Sequence, residues 1–419
     1  MHTTKPRVFL GALATLCLML GLAAFAPIVN AEAIRPAIQS RPAADRTLAH
    51  ELGDLSNVSL DRNNDSIVDY TRNCTVTQRV VTDADSDGNA EFVFIEIVCS
   101  ETADLNFNGT TDAWRVTTAN YTQVDRNDDG NPELKEVNIV SQATADPNED
   151  GVVDVTIDVS YHAAAHDRNS DGEVDGAEVL LETHMMVDPN NDGIFEVEMV
   201  DRSAARAVDI DDNGHLDTFG FHKVGYLSYD PDSNGVVQAQ ILWNASGVAA
   251  DTNGDGKADA MGVFAERAAW VDGNEDGIRE YAEYIAYSAR AVDLNNDGVF
   301  DAFHAQGVAA KVVDQNSDGY PEVKEFATFE AWGLDSNGDG SLDYAKYSAY
   351  YAIVIDRNSD GVADTIGQAA VVLTAADLDG NGSFDILHFV IVSGVVKDTD
   401  GDGLFDYRHI SYEEGTRRL

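Results

Sequence analysis

A nine-residue pattern returns at a fixed interval through most of this 419-residue chain, and that recurrence constrains the fold more than any other feature. Its last instance is Asp398-Thr-Asp400-Gly-Asp402-Gly403-Leu-Phe405-Asp406, with side-chain oxygens at positions 1, 3 and 5, glycine at 6 and a carboxylate at 9. The pattern has 17 starts, and from Asp83 to Asp104, Asp125 and onward to Asp398 the spacing never varies. Only the first step, Asp61 to Asp83, is longer, by a single position. Position 1 is always Asp, and positions 3 and 5 are always Asp or Asn. Position 6 is Gly except for Ser66, and position 9 is acidic except for Gln238. An acidic sequence yields one such match by accident, but not 17 in phase.

A hard divalent cation takes six to eight oxygen ligands, and oxygens at alternate positions around a sharp turn fold about one point, the backbone carbonyl of position 7 adding another. The candidate calcium ligands are Asp61, Asn63, Asp65 and Asp69 in the first loop, Asp83, Asp85, Asp87 and Glu91 in the second, and Asp104, Asn106, Asn108 and Asp112 in the third. Next come Asp125, Asn127, Asp129 and Glu133, then Asp146, Asn148, Asp150 and Asp154, then Asp167, Asn169, Asp171 and Asp175. The middle of the array offers Asp188, Asn190, Asp192 and Glu196, then Asp209, Asp211, Asn213 and Asp217, then Asp230, Asp232 and Asn234. Asp251, Asn253, Asp255 and Asp259 follow, with Asp272, Asn274, Asp276 and Glu280, and Asp293, Asn295, Asp297 and Asp301. Beyond them stand Asp314, Asn316, Asp318 and Glu322, and Asp335, Asn337, Asp339 and Asp343. The last three sets are Asp356, Asn358, Asp360 and Asp364; Asp377, Asp379, Asn381 and Asp385; and Asp398, Asp400, Asp402 and Asp406. Up to about one Ca2+ per repeat is expected. Affinity rises with ligand charge, so the loops at Asp104 and Asp230, with two carboxylates each, are expected to empty first. Position 8, Phe405 in the last loop, is expected to anchor each loop to its neighbour.

These loops resemble those of thrombospondin type 3 repeats, of the FG-GAP or VCBS repeats of integrin-like propellers, and of dockerins and EF-hands. The resemblance covers each nine-residue loop and not the segments between; Asp335–Asp343 and Asp398–Asp406 carry it best. It implies extracellular calcium binding through positions 1, 3, 5, 7 and 9. The chain departs from FG-GAP repeats in lacking a regular Phe-Gly and Gly-Ala-Pro signature, and from thrombospondin type 3 in lacking regularly spaced cysteines.

The segments between loops, such as 92–103, are too short for the two helices of an EF-hand. One helix per repeat would need a bidentate Glu at the twelfth loop position; Glu136, Glu178, Glu283 and Glu325 stand there, but other loops have Phe94, Arg115, Gly220 or His304. Segments such as 92–98, 344–355 and 386–392 are rich in aromatic and β-branched residues and read as strands, while Ala-rich stretches such as 266–271 read weakly. The cysteines address strand direction. Cys74 and Cys99 flank the loop at Asp83 almost symmetrically about its centre, Asp87, and so stand opposite each other in a hairpin. In a parallel solenoid they would be offset by about 10 Å, beyond the reach of a disulfide. The expected fold is therefore all-β: tandem repeats of antiparallel strands joined by calcium-binding loops, with a Cys74–Cys99 disulfide, two free thiols being the alternative. A superhelical sheet, a barrel and propeller blades are all compatible, and the echo of Ala204–Asp209 in Ser288–Asp293, four repeats on, hints at four-stranded units.

The chain opens with Lys5 and Arg7 before an apolar run and a small-residue site at Val29-Asn30-Ala31, the order of a secretory leader over 1–31, an uncleaved anchor being the alternative. Residues 32–60 read as a linker or cap, with a short helix over 45–55, and 61–419 as the repeat domain. No later segment approaches the ~20 apolar residues of a spanning helix. The formal net charge of −47 excludes nucleic acid and anionic membranes as partners. One divalent ion in each of 17 loops would leave about −15 once Lys5 and Arg7 are lost with the leader.

Other constellations carry less. His162 and His166 share a strand face at a spacing compatible with zinc, but exposed histidines are the plainer reading. His304, His388 and His409 recur at the third residue after a loop, as repeat drift would produce. Trp114, Trp243, Trp270 and Trp332 fall at different places in their repeats and read as core. Asn73, Asn120 and Asn244 head glycosylation sequons. No nucleophile elbow, phosphate loop or zinc-hydrolase motif occurs, and nothing argues for catalysis. The expected function is a secreted or cell-surface, calcium-rigidified structural or adhesive scaffold with an unidentified surface or matrix partner. The first alternative is a low-affinity calcium store or mineral-interacting protein; the second is an enzyme or outer-membrane barrel hidden by the repeats, whose apolar-out, polar-in alternation segments such as 201–206 fit badly.

Overall fold

The computed structural model describes residues 57–63 and 65–419; the expected leader, linker and short helix lie outside them or, for 57–60, at their margin. The described chain, Asn57–Leu419, is all-β. Its strands are β1 (Val58–Leu60), β2 (Tyr70–Thr82), β3 (Phe92–Ala103), β4 (Ala113–Val124), β5 (Leu134–Ala145), β6 (Val155–His166), β7 (Gly176–Val187), β8 (Val197–Val208) and β9 (Thr218–Tyr229). They continue as β10 (Ala239–Ala250), β11 (Ala260–Val271), β12 (Tyr281–Val292), β13 (Ala302–Val313), β14 (Val323–Leu334), β15 (Tyr344–Ile355), β16 (Thr365–Ala376), β17 (Ile386–Lys397) and β18 (Tyr407–Arg418). Each pairs antiparallel with the next in sequence, so the 18 strands form one open sheet with an acidic loop at every turn. The sheet continues through β8–β12 without a break, so the echoed segments mark no blade boundary.

From β3 onward the strands share one length, that of Phe92–Ala103, and each pairs from end to end, its first residue opposite the last of the next. Equal strands and equal loops together produce the fixed sequence interval. The longer first step has its own cause: β2 has 13 residues, and its register with β3 shifts between Val76 and Gln78. Thr77 is the extra residue of a β-bulge, and its hydroxyl contacts the backbone oxygen of Glu96 at 3.4 Å. Because the bulge absorbs that residue, Cys74 stands directly opposite Cys99, and the two form the expected disulfide with Cα atoms 4.0 Å apart.

Directly opposed residues share a face. One face carries the row Ile97–Ala119–Ile139–Tyr161–Leu181, and its neighbours Val93, Ile95 and Ala207 are among the few buried apolar side chains. Several charges on it are paired, Arg115 with Glu101, Lys223 with Asp201, and Arg267 with Glu283. The other face carries Val116, Val140, Leu180 and Val248, all at least 46% exposed, among histidines, glutamates and serines. Side-chain size is balanced across strands on the apolar face. Trp243 lies over Gly225 and donates its indole N–H to Asp201, two strands away, at 2.8 Å; a Cβ on Gly225 would come within 2.6 Å of the indole. Two of the tryptophans are not the core the sequence suggests: Trp114 and Trp332 stand on the polar face at 41% exposure. Strand pairing is complete even where alanine weakens intrinsic propensity, as in β11, because both neighbours supply the ladder.

Candidate metal centres

Loops alternate between the two long edges of the sheet, so each lies beside the loop two repeats away. The N–H of position 1 in every loop from Asp104 onward donates to the carbonyl of position 9 in that earlier loop, at 2.6–3.0 Å, as in Asp104 to Asp69 and Asp125 to Glu91. Positions 1 and 9 are thereby drawn into the sheet ladder. Twenty of the carboxylate side chains at these positions are less than 9% exposed, and Asp112, Asp125 and Asp314 are the largest fully buried side chains among the described residues. Among the described residues only eight apolar side chains are buried to that degree. The interior of the edges is acidic.

Within a loop, backbone N–H groups fix the carboxylates. In the third loop Gly109 donates to Asp104 Oδ2 at 2.7 Å, Asn108 to Asn106 Oδ1 at 3.0 Å, Thr110 to Asn108 Oδ1 at 2.7 Å and Leu105 to Asp112 Oδ2 at 2.8 Å. The loop at Asp335 repeats this through Gly340, Asp339, Ser341 and Ser336. The carboxylates of positions 1 and 9 thus commit one oxygen to the loop backbone, and in many loops the other is left over. At position 1 that second oxygen of Asp83, Asp146, Asp188, Asp230, Asp272 and Asp356 is buried without a hydrogen-bond partner. So is one oxygen of Asp69, Asp112, Asp154, Asp175 and Glu196 at position 9. An anionic oxygen so placed costs several kcal/mol unless a cation meets it. Where position 3 is Asn, the amide oxygen takes the loop N–H and the –NH2 turns to a carboxylate, as in Asn127 to Asp129 at 3.0 Å and Asn337 to Asp343 at 3.1 Å. A half-turn of the amide exchanges its ends and offers oxygen instead.

Carboxylate oxygens lie within 4.8 Å of one another in Asp83/Asp85/Asp87, Asp209/Asp211/Asp217, Asp377/Asp379/Asp385 and Asp398/Asp400/Asp406. That span suits ligands 2.3–2.6 Å from one hard cation, so the donor set fits calcium. The twelfth-position glutamates play no part in the loops: Glu283 and Glu325 pair with Arg267 and Lys311 on the apolar face, and Glu136 and Glu178 flank His162 on the other. His162 bonds Asn138 at 2.8 Å, and no metal-type cluster among the described residues joins it to His166. His304 packs against Trp332, ring centres 4.2 Å apart, and contacts Glu330.

Two loop positions escaped sequence reasoning. Position 4 has positive φ throughout the described loops, in non-glycine residues such as Ser86, Glu149 and Ser233 as well as in Gly254 and Gly338. This left-handed turn sends the position-4 side chain into the loop two repeats earlier. Ser170, Ser233 and Ser359 donate to Glu133, Glu196 and Glu322, each a position-9 glutamate. Asp128 joins Asp85 and Glu91 as a further cluster within 4.8 Å. Loss of solvation, then the charges of Asp85, Asp87, Glu91 and Asp125, push the Asp128 carboxyl up to about 6. By contrast Asp335, despite the opposing effect of burial, is held below the usual carboxylate range by N–H donors from Gly338, Gly340, Asn337 and Asp339. The second position is 7, whose side chain packs on the position-6 glycine of the loop two repeats on: a Cβ on Gly361 would sit 2.8 Å from the Tyr320 ring. Position 8, expected to be the anchor, is half open to solvent, with Phe195 42% and Phe405 47% exposed.

No family model matches this sequence, and no curated protein does. Among solved structures, the crystal structure of Pseudomonas aeruginosa OccK11 (OpdR) aligns with 83% of this chain and 92% of its own, at 8% identity and a TM-score of 0.19, which is too low to carry an argument.

Proposed function

We propose that the chain binds calcium at its edge loops and that the ions rigidify a secreted structural or adhesive scaffold. The observation that carries this reading is the series of buried, unpartnered carboxylate oxygens at positions 1 and 9. They occur in nine of the 17 loops, those starting at Asp61, Asp83, Asp104, Asp146, Asp167, Asp188, Asp230, Asp272 and Asp356. A fold would not keep such charges desolvated without a compensating cation, and metal binding then contributes directly to folding. The Cys74–Cys99 bond supports an oxidising compartment, in line with the leader expected at 1–31. No helix of the described residues is long and apolar enough to cross a membrane, which leaves strand-built spans untouched.

The solvent-exposed carboxylates of positions 3 and 5 and the net charge of −47 favour a second reading, a low-affinity calcium reservoir or mineral-binding surface. Calorimetry separates the two. A scaffold loses its cooperative unfolding transition in chelator and regains it at millimolar calcium; a reservoir keeps the same transition in both. An ion count well short of one per loop at millimolar calcium would defeat both readings.

A further inference from the structure

We infer that the metal centres at Asp104 and Asp230 are each built from two repeats, with Glu149 and Glu275 supplying the carboxylate that the local loop lacks. The inference rests on the proposed calcium reading and goes beyond it in assigning ligands outside the nine-residue pattern. These two loops offer two carboxylates each, because amides stand at positions 3 and 5 of the first and at 5 and 9 of the second. Glu149 and Glu275 occupy position 4 of the loops two repeats on, at φ 58° and 60°, which turns their side chains back along the edge. Glu149 Oε1 accepts from Asn106 Nδ2 at 2.5 Å and from Asn108 Nδ2. Glu275 accepts from Asn234 through one oxygen and from Gln238 through the other. In both cases the incoming glutamate meets the very amides that replaced carboxylates. An independent observation marks the same places as ligand sites: Asp112 and Asp230, 1% and 3% exposed, each keep a buried carboxylate oxygen with no partner.

The charge deficit of the two loops is thus made up across the sheet edge, and their ranking as the weakest sites no longer follows from the local pattern. With the added glutamate each reaches three carboxylates, the number most other loops supply for themselves. A ligand shared between loops also ties the filling of one site to the placement of the next loop along the edge.

The test uses the full chain, with bound calcium counted by equilibrium dialysis and elemental analysis across free calcium from micromolar to millimolar. Glu149→Gln and Glu275→Gln are each expected to raise the calcium needed to fill one site by about tenfold or more, and the double variant to bind two ions fewer at the lowest calcium that saturates the parent. Glu182→Gln, on strand β7, is the control and keeps the full count. Adding Asn106→Asp to Glu149→Gln puts the third carboxylate back within the loop and is expected to restore its ion, which guards against a folding defect. Full occupancy of the double variant at every calcium level, or no restoration by Asn106→Asp, would overturn the inference while leaving calcium binding by the parent intact. A parent that binds no calcium would overturn the underlying reading as well.

Discussion

Asp128 illustrates how a single residue links loop geometry to solution behaviour. Its neighbours Asp85 and Glu91 belong to a loop that already has four carboxylates, so without metal Asp128 is the fifth charge in one cage. Its folded-state pKa lies near 6, above the usual carboxylate value. Between about pH 4 and pH 6 the folded chain therefore holds more protons at this site than the unfolded chain, and stability falls as pH rises. Above pH 6 the penalty is complete. Calcium-free Asp128→Asn is expected to melt a few degrees higher than the parent at pH 7 and at the same temperature at pH 4, with the advantage lost in millimolar calcium. Melting curves in chelator at both pH values check this; an equal difference at pH 4 and pH 7 would refute it. At this scale the ligands of positions 1, 3, 5 and 9 were legible because they lie within nine residues of one another. Position 4 was not, because its partner is 37–43 residues away, as in Ser170 to Glu133 and Glu149 to Asn106, and only the strand register brings them together.

At the scale of the strand, everything depends on a constant length that keeps one face apolar from each turn to the next. A one-residue slip exchanges the two faces of every residue beyond it. The bulge at Thr77 is the sheet's one length correction among the described residues, and it sits between Val76 and Gln78 without moving either from its partner. Deleting Thr77 should thus leave Cys74 opposite Cys99, with the melting temperature within roughly 2–4 °C of the parent. Deleting Ala265, in the middle of β11, offers no such escape, because both β10 and β12 pair through it. That variant is expected to lose cooperative unfolding. Circular-dichroism melts and thiol titration compare the two deletions; equal damage from both would show that the bulge is structural and not merely accommodated. The sequence revealed strands, their direction and the disulfide through the cysteine positions. It hid the face pattern, because large and small side chains trade across strands, as Trp243 does over Gly225, and alternation within any one strand is then imperfect.

For the whole molecule, the sheet is extended by repetition and closed on neither edge, so each repeat contacts chiefly its sequence neighbours and, through the loops, the repeats two away. Stability in such an array grows from unit and neighbour terms, and here every unit brings its own negative charge. A net charge of −47 self-repels at long range, and simple salt relieves that repulsion: the Debye length falls from about 10 Å at 0.1 M to about 3 Å at 1 M. Screening does not supply a ligand to a buried oxygen such as that of Asp112 or Asp230. The two effects are therefore separable. In chelator, 1 M NaCl is expected to reduce the radius of gyration of the chain only in part, and without restoring a sharp unfolding transition. Millimolar calcium at low ionic strength is expected to restore both. Small-angle scattering and calorimetry on the same samples measure the difference. If sodium chloride alone recovered the compact, cooperatively unfolding state, bulk charge and not coordination at the loops would be what holds this sheet together.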